Sequence, residues 1–237
     1  MTTFVLVHGA WHGGWCWRRV AEVLQRAGHR VFTPTLTGLG ERSHLLRPGI
    51  DLDLHILDIV NVLKWEGLRE VVLCGHSYGG MVVTGVADAV AERLAALVYL
   101  DAFVPRDGEA VVELLLAERR SGLEQDRRRH GDGWRLTPVP AAAFGVTDPA
   151  DQAWVDGACT AQPWATLTQP IRLGGAHEKV RRRSYILAGA YTPSAFEPYG
   201  AMARDSADWH FHSLPTGHDA MMTMPAEVAK LLEEAAI

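Results

Sequence analysis

An α/β fold built on a parallel sheet is what this sequence predicts, and three observations carry the prediction. Apolar runs of four to seven residues alternate with helical stretches through the first hundred residues. Those runs are apolar throughout rather than every second residue, as in strands covered on both faces. The alternation then stops near Val104 and resumes at Ser184.

The elements follow in order. Phe4-Val5-Leu6-Val7 is a short buried strand, stopped by His8-Gly9. A Gly/Trp-rich turn leads into a helix from about Trp15 to Ala27, which Gly28 can end as a left-handed cap. His29 to Thr33 is a second strand and Pro34 to Ile50 a loop. Asp51 can cap a helix in which Leu52, Ile56, Ile59 and Leu63 recur at helical spacing. Glu70 to Cys74 is a third strand, Tyr78 to Ala91 an apolar helix, and Leu94 to Leu100 a fourth strand. Residues 105–183 lack the rhythm and read as a lid inserted into one domain, with residues 1–104 and 184–237 as its core. Ser184 to Ala188 and Trp209 to Leu214 are further strands, with a helix near Ser194 to Arg204 between them. Pro225 suits the first turn of a closing helix.

Composition narrows the function classes. The chain has 237 residues, 48% of them hydrophobic, and a net charge of −5. That excludes a disordered chain and argues against a nucleic-acid or anionic-membrane binder, which shows a basic face. The runs Arg127-Arg128-Arg129 and Arg181-Arg182-Arg183 flank the lid and read as solvated faces. Cys16, Cys74 and Cys159 are too few and too scattered for a disulfide framework or zinc site. With no signal peptide and no apolar run near 18 residues, the expectation is a cytoplasmic protein off the membrane. Gly38-Leu39-Gly40, with Ser43 in the third glycine place and no helix opening there, does not make a dinucleotide loop.

Gly75-His76-Ser77-Tyr78-Gly79 stands between a strand and a helix, the context a nucleophile elbow requires. A sharp turn lifts the serine above the sheet edge, and only glycine fits two places before and after it. A serine needs a base, and in this fold the base follows the last strand. His218, in Pro215-Thr216-Gly217-His218-Asp219, is the one histidine so placed; His210 and His212 lie within the strand and His76 packs beneath the elbow. The oxyanion donors would be the N–H groups of Tyr78 and Ala10, the latter in the glycine-rich loop after the first strand. His8 and His12 imitate metal-ligand spacing, but no acidic residue stands near them in sequence, so no metal is expected.

The segments FVLVHGAWHGGWCW (from Phe4), GHSYGG and PTGHDAM together resemble the plant methylesterase and hydroxynitrile lyase branch of the α/β-hydrolases, and more closely bacterial EstC-like esterases, relatives of esterases acting on aryl carbamates. The resemblance implies a six-stranded, mainly parallel sheet with a helical cap and no cofactor. It assigns Ser77, His218, Ala10 and Tyr78 the roles given above. The pattern departs at the triad acid. The plant branch has an aspartate after the strand matching Tyr185-Ile186-Leu187, where this chain has Ala188 to Pro193. Asp101, ending the fourth strand as in haloalkane dehalogenases, is the first candidate; Glu197 and a site without a carboxylate remain open. Gly9 and Asp219 replace the threonine and lysine of the lyases, which weakens a cyanohydrin-cleaving reading.

The expectation is a serine carboxylesterase acting on small esters with apolar or aromatic groups, with Trp11, His12, Cys16, Phe103, Leu115, Trp134, Trp154, Phe196 and Met221 as pocket candidates. A carbamate or amide hydrolase is the nearest alternative. A non-catalytic ligand-binding protein of this fold, or a lyase, is the alternative of another class. The substrate is a small molecule; the oligomeric state is not legible.

Overall fold

The computed structural model describes residues 1–237. The chain runs β1 (Thr3–Val7), α1 (Arg18–Arg26), β2 (Arg30–Phe32), α2 (Leu52–Trp65), β3 (Val71–His76), α3 (Gly79–Val90) and β4 (Leu94–Leu100). Between β4 and the next core strand lie α4 (Val111–Leu114), α5 (Ala117–Arg129), β5 (Arg135–Leu136), α6 (Pro149–Ala158), β6 (Gln162–Pro163) and α7 (Ala165–Thr168). The core resumes with β7 (Arg183–Ala188), α8 (Glu197–Asp205), β8 (Trp209–Leu214), α9 (Ala220–Thr223) and α10 (Pro225–Ala235).

Six strands form one sheet in the order β2-β1-β3-β4-β7-β8. Every pairing in it is parallel, with Val5 opposite Leu73 and Cys74 opposite Val98. Neighbouring side chains on a strand point to opposite faces, so the complete burial of β3 means that both faces are covered. Helix α1 packs with α10, and α2 with α3.

The local signals act as their chemistry dictates. The Asp51 carboxylate accepts the Leu54 N–H at 3.0 Å and caps α2. Gly28, at φ +87°, closes α1: its N–H donates to the Gln25 carbonyl and that of His29 to the Leu24 carbonyl, a paired cap. Most predicted boundaries move by a residue or two, and two move further or change character. The helix expected from Ser194 begins at Glu197, and the stretch from Trp15 opens with a 3-10 turn over Gly14–Trp17 before α1. A 3-10 turn over Gly40–Leu45 also lies within the predicted loop, following Gly38-Leu39-Gly40, where no helix was expected to open.

The segment between β4 and β7 alternates short helices with loops, and β5 and β6 pair antiparallel as a two-residue ribbon within it. The chain turns from β1 outward to β2, then crosses back to β3 on the other side of β1. That reversal opens a crevice at the carboxyl ends of β1 and β3, where ligands settle in open α/β sheets.

Candidate active site

Four segments meet above the carboxyl edge of the sheet: the loop after β1, the β3–α3 turn, the end of β4 and the loop after β8. Ser77, at the β3–α3 turn, has φ +54°, a left-handed backbone that costs a non-glycine residue about 1–2 kcal/mol. The turn is held by its neighbours. Ser77 N–H donates to the Leu100 carbonyl at 3.3 Å, and the Ser77 carbonyl accepts from Gly80 and Phe103 N–H at 3.0 and 3.2 Å. A Cβ on Gly75 would lie 2.5 Å from the Gly79 carbonyl oxygen, and one on Gly79 would lie 2.8 Å from the carbonyls of Val7 and His8. A Cβ on Gly80 would lie 2.1 Å from the Phe103 carbonyl oxygen. Crowding by backbone therefore explains the glycines around Ser77.

His218 stands in the β8–α9 loop, 3% exposed, against Asp101, which is fully buried. Its Nδ1 lies 2.5 Å from Asp101 Oδ2. Asp101 leaves the end of β4 at φ +41°, its own N–H bound to the Ile186 carbonyl at 2.7 Å. Its second oxygen accepts the Ala188 N–H at 3.1 Å, so two hydrogen bonds hold the carboxylate in place. With Nδ1–H donating to Asp101, the lone pair of His218 is on Nε2, which no protein group engages. The ring is stacked on Phe196 at 4.8 Å between centroids and on Tyr191 at 4.9 Å. Glu197 makes no contact with His218; it pairs with Arg204 at 3.8 Å, exposed to solvent.

The loop after β1 carries Ala10, and its N–H, like that of Tyr78, donates to no protein acceptor. The flanking carbonyls are both engaged. His8 Nδ1 donates to the Gly9 carbonyl at 2.8 Å while its Nε2 accepts the Leu36 N–H at 3.0 Å, so His8 is neutral. Burial pushes its pKa down to about 3. Trp11, at φ +65°, is clamped by the inserted segment: its N–H donates to Gln162 Oε1 at 3.0 Å and its carbonyl accepts the Thr160 N–H at 2.9 Å. Tyr78 packs beside this loop with its hydroxyl donating to His55 Nδ1 at 2.9 Å, since His55 Nε2–H is committed to the Thr37 carbonyl.

A cavity of about 560 Å³ opens over these groups, and Ser77, His218, Ala10 and Tyr78 all line it. Of the pocket candidates, Trp11, Phe103, Leu115 and Phe196 line it too. The other five do not. His12 turns back to Asp219, and Cys16 and Met221 are fully buried in the core. Trp154 lies against the Trp15 ring and the Arg19 guanidinium, and Trp134 against that of Arg135. Residues of the segment between β4 and β7 that are distant in sequence complete the wall: Val111, Leu123, Phe144 and Leu167, with Tyr191 from the β7–α8 loop. Fifteen of the 21 lining residues are hydrophobic, so the space selects for apolar groups. Glu118 and Arg119, at the start of α5, are the charged side chains between β4 and β7 that reach it.

His12 has an acidic neighbour after all. Asp219 comes from 207 residues further along the chain, where sequence spacing gives no signal, and its Oδ2 lies 3.2 Å from His12 Nε2. The donors that could meet a cation are His76, His218 and Asp219, whose ligand atoms lie within 4.8 Å of one another. His76 Nε2 is already donating to the His218 carbonyl at 3.1 Å and His218 Nδ1 to Asp101, so one nitrogen on each ring is spent.

Residues 4–231 match the model of the alpha/beta hydrolase family. The chain belongs to the α/β-hydrolase family. Over 98% of both chains it is 43% identical to a carbendazim hydrolyzing esterase of Nocardioides. It is 36% identical over 105 residues, 43% of this chain and 40% of the other, to salicylic acid-binding protein 2 of Nicotiana tabacum. Among solved structures, an extracellular α/β-hydrolase from a Paenibacillus species superposes with a TM-score of 0.86 at 26% identity, covering 99% of each chain. No helix of this hydrolase is long and apolar enough to cross a membrane.

Proposed function

We propose that this α/β-hydrolase is a serine carboxylesterase in which Ser77, His218 and Asp101 form the triad and the N–H groups of Ala10 and Tyr78 the oxyanion hole. The chain is an ester hydrolase by its full-length kinship with an esterase. The observation that carries the residue assignment is the buried Asp101–His218 pair, which leaves Nε2 as a free base on a residue that lines the same cavity as Ser77. His218 Nε2 takes the Ser77 proton as Oγ attacks the carbonyl carbon, and the developing imidazolium is stabilised by Asp101. The two free N–H groups receive the oxyanion, a contribution of about a hundred- to thousand-fold in rate per donor. The proton passes to the departing alcohol, and a water activated by the same nitrogen hydrolyses the acyl-enzyme.

The residues between β4 and β7 serve as the lid, and their apolar lining favours small esters with apolar or aromatic groups. An aryl carbamate is the second reading, favoured by the 43% identity to an enzyme named for hydrolysing carbendazim. The three free cysteines suit a reducing, cytoplasmic location. Turnover of p-nitrophenyl esters by wild type and Ser77→Ala, with fluorophosphonate labelling of Ser77, tests the assignment. Full activity in Ser77→Ala refutes it. Comparing an ester and a carbamate on one aryl scaffold separates the two substrate readings.

A further inference from the structure

Beside the Asp101–His218 pair lies a second histidine–carboxylate pair, fully enclosed, that the chemistry above does not use. His12 is 1% exposed and Asp219 is not exposed at all. His12 Nδ1 lies 2.8 Å from the Ala10 carbonyl oxygen, which can only accept, so this nitrogen carries a proton. Its Nε2 lies 3.2 Å from Asp219 Oδ2. A carboxylate there also accepts, so both ring nitrogens are protonated and the pair is imidazolium with carboxylate. Burial alone would lower the His12 pKa, but the charge and hydrogen bond of Asp219, with the Ala10 carbonyl, hold it above the ordinary value. Burial would raise Asp219, and His12 more than offsets it.

The surroundings offer no competing charge. His76 stands between this pair and His218, its ring 4.5 Å from His218 and 6.1 Å from His12. It is neutral, with its pKa pushed well below the usual range by burial first and then by the nearness of a second imidazole, His218. His8 is neutral as described, and burial raises the thiols of Cys16 and Cys159, so they stay protonated.

As a source of stability the pair is poorly built. Asp219 Oδ1 has no hydrogen-bond partner, and His76 Nε2 stands 3.8 Å from it. A buried ion pair with an orphaned oxygen gains little or nothing over an apolar pair of the same size. Its position is more informative. One end grips the carbonyl of Ala10, and the other is the residue bonded to His218.

We propose that His12 and Asp219 are positioning residues: a buried ion pair that ties the oxyanion loop at Ala10 to the backbone beside His218, holding the oxyanion donor and the base in register. This rests on the serine-hydrolase reading above. A misplacement of about 1 Å at a reacting centre costs on the order of a hundredfold in rate. Removing both charges together avoids stranding either one, so the double variant His12→Gln/Asp219→Asn is the decisive protein. It should melt within a few degrees of wild type and turn over p-nitrophenyl acetate about tenfold to a hundredfold more slowly. KM should stay within about threefold, and fluorophosphonate labelling of Ser77 should slow in parallel. A folded double variant with kcat within about twofold of wild type overturns the proposal.

If the double variant does not fold, Asp219→Asn alone decides. The amide replaces the ion pair by a weaker neutral hydrogen bond to His12, so the tie loosens and kcat should fall by about tenfold. Unchanged kcat there, or failure of both variants to fold, marks the pair as purely structural and overturns the proposal. Imidazole ¹⁵N spectra of the wild type at pH 6.5, the ordinary histidine midpoint, should show both nitrogens of His12 protonated, and a neutral ring overturns it as well. If wild-type turnover does not depend on Ser77, the hydrolase reading fails first and takes this one with it. The pair fails alone when Ser77 dependence is intact and the double variant is fast.

Discussion

Asp101→Asn isolates one atom's worth of chemistry in the assigned triad. The carboxylate holds two hydrogen bonds, one from Ala188 N–H at 3.1 Å and one from His218 Nδ1 at 2.5 Å. Asparagine has the same shape but only one acceptor oxygen. The Ala188 N–H is fixed by the sheet, so the asparagine oxygen must face it and the NH₂ must face His218. Nδ1 then becomes the acceptor, the ring proton moves to Nε2, and the base at Ser77 is gone. The fold keeps both hydrogen bonds and should lose no more than about 1 kcal/mol. Turnover should fall by about a thousand- to ten-thousandfold, which is about 4–5.5 kcal/mol of transition-state stabilisation. The assay is kcat/KM on p-nitrophenyl acetate, paired with thermal melting by circular dichroism. Glu197→Gln is the control and should keep wild-type turnover, since Glu197 is exposed against Arg204. A folded Asp101→Asn protein with near-normal kcat refutes the tautomer argument and the assignment of Asp101.

Gly80→Ala forces a Cβ to within 2.1 Å of the Phe103 carbonyl, so α3 must shift; a cost of about 3 kcal/mol lowers the melting temperature by roughly 6–12 °C. Gly157→Ala, within α6 and with open space at its Cβ, should instead stabilise by about 0.5–1 kcal/mol in urea unfolding. Stability should fall as pH drops below about 6.5, because His8 and His55 are held neutral by burial with pKa values near 3 and 4. Their depressed values mean that the unfolded chain takes up protons first, so unfolding free energy rises with pH between about 4 and 6.5. A flat urea midpoint across that range contradicts this. The three thiols should be inert to a disulfide reagent in the native protein and all react after denaturation, because every one is buried.

The core was legible because its signals are local. Apolar runs, the Asp51 cap and the Gly28 stop each act within a few residues, and all six sheet strands and their helices follow from such cues. The elbow was legible for a steric reason: the glycines at 75 and 79 are dictated by backbone oxygens within 3 Å of where a side chain would start. Asp101 could be placed ahead of Glu197 from its position at a strand end, and the sheet order, with β4 and β8 on either side of β7, explains how it reaches His218. The pocket wall was legible only in part. Trp134 and Trp154 are as apolar as Phe144 and Tyr191, and composition cannot say which aromatic faces the cavity and which covers an arginine. The link from His12 to Asp219 left no trace in sequence, since it spans nearly the whole chain and depends on both loops meeting.

The clamp on Trp11 constrains how this enzyme could be re-engineered. Gln162 and Thr160 belong to the inserted segment, yet their hydrogen bonds fix the backbone one residue from Ala10. Gly40 N–H, donating to the Thr160 hydroxyl at 2.9 Å, adds a third anchor from the core. The segment is therefore two parts with different freedoms. Residues around α5, which carry Leu115, Leu123 and Arg119, can be exchanged to reshape the pocket for another ester. Residues 160–162 are not to be swapped with them, because a β4–β7 segment transplanted from a relative without equivalent anchors would leave the loop after β1 loosened. Chimeras should be cut between α6 and Thr160, not at the two ends of the insertion.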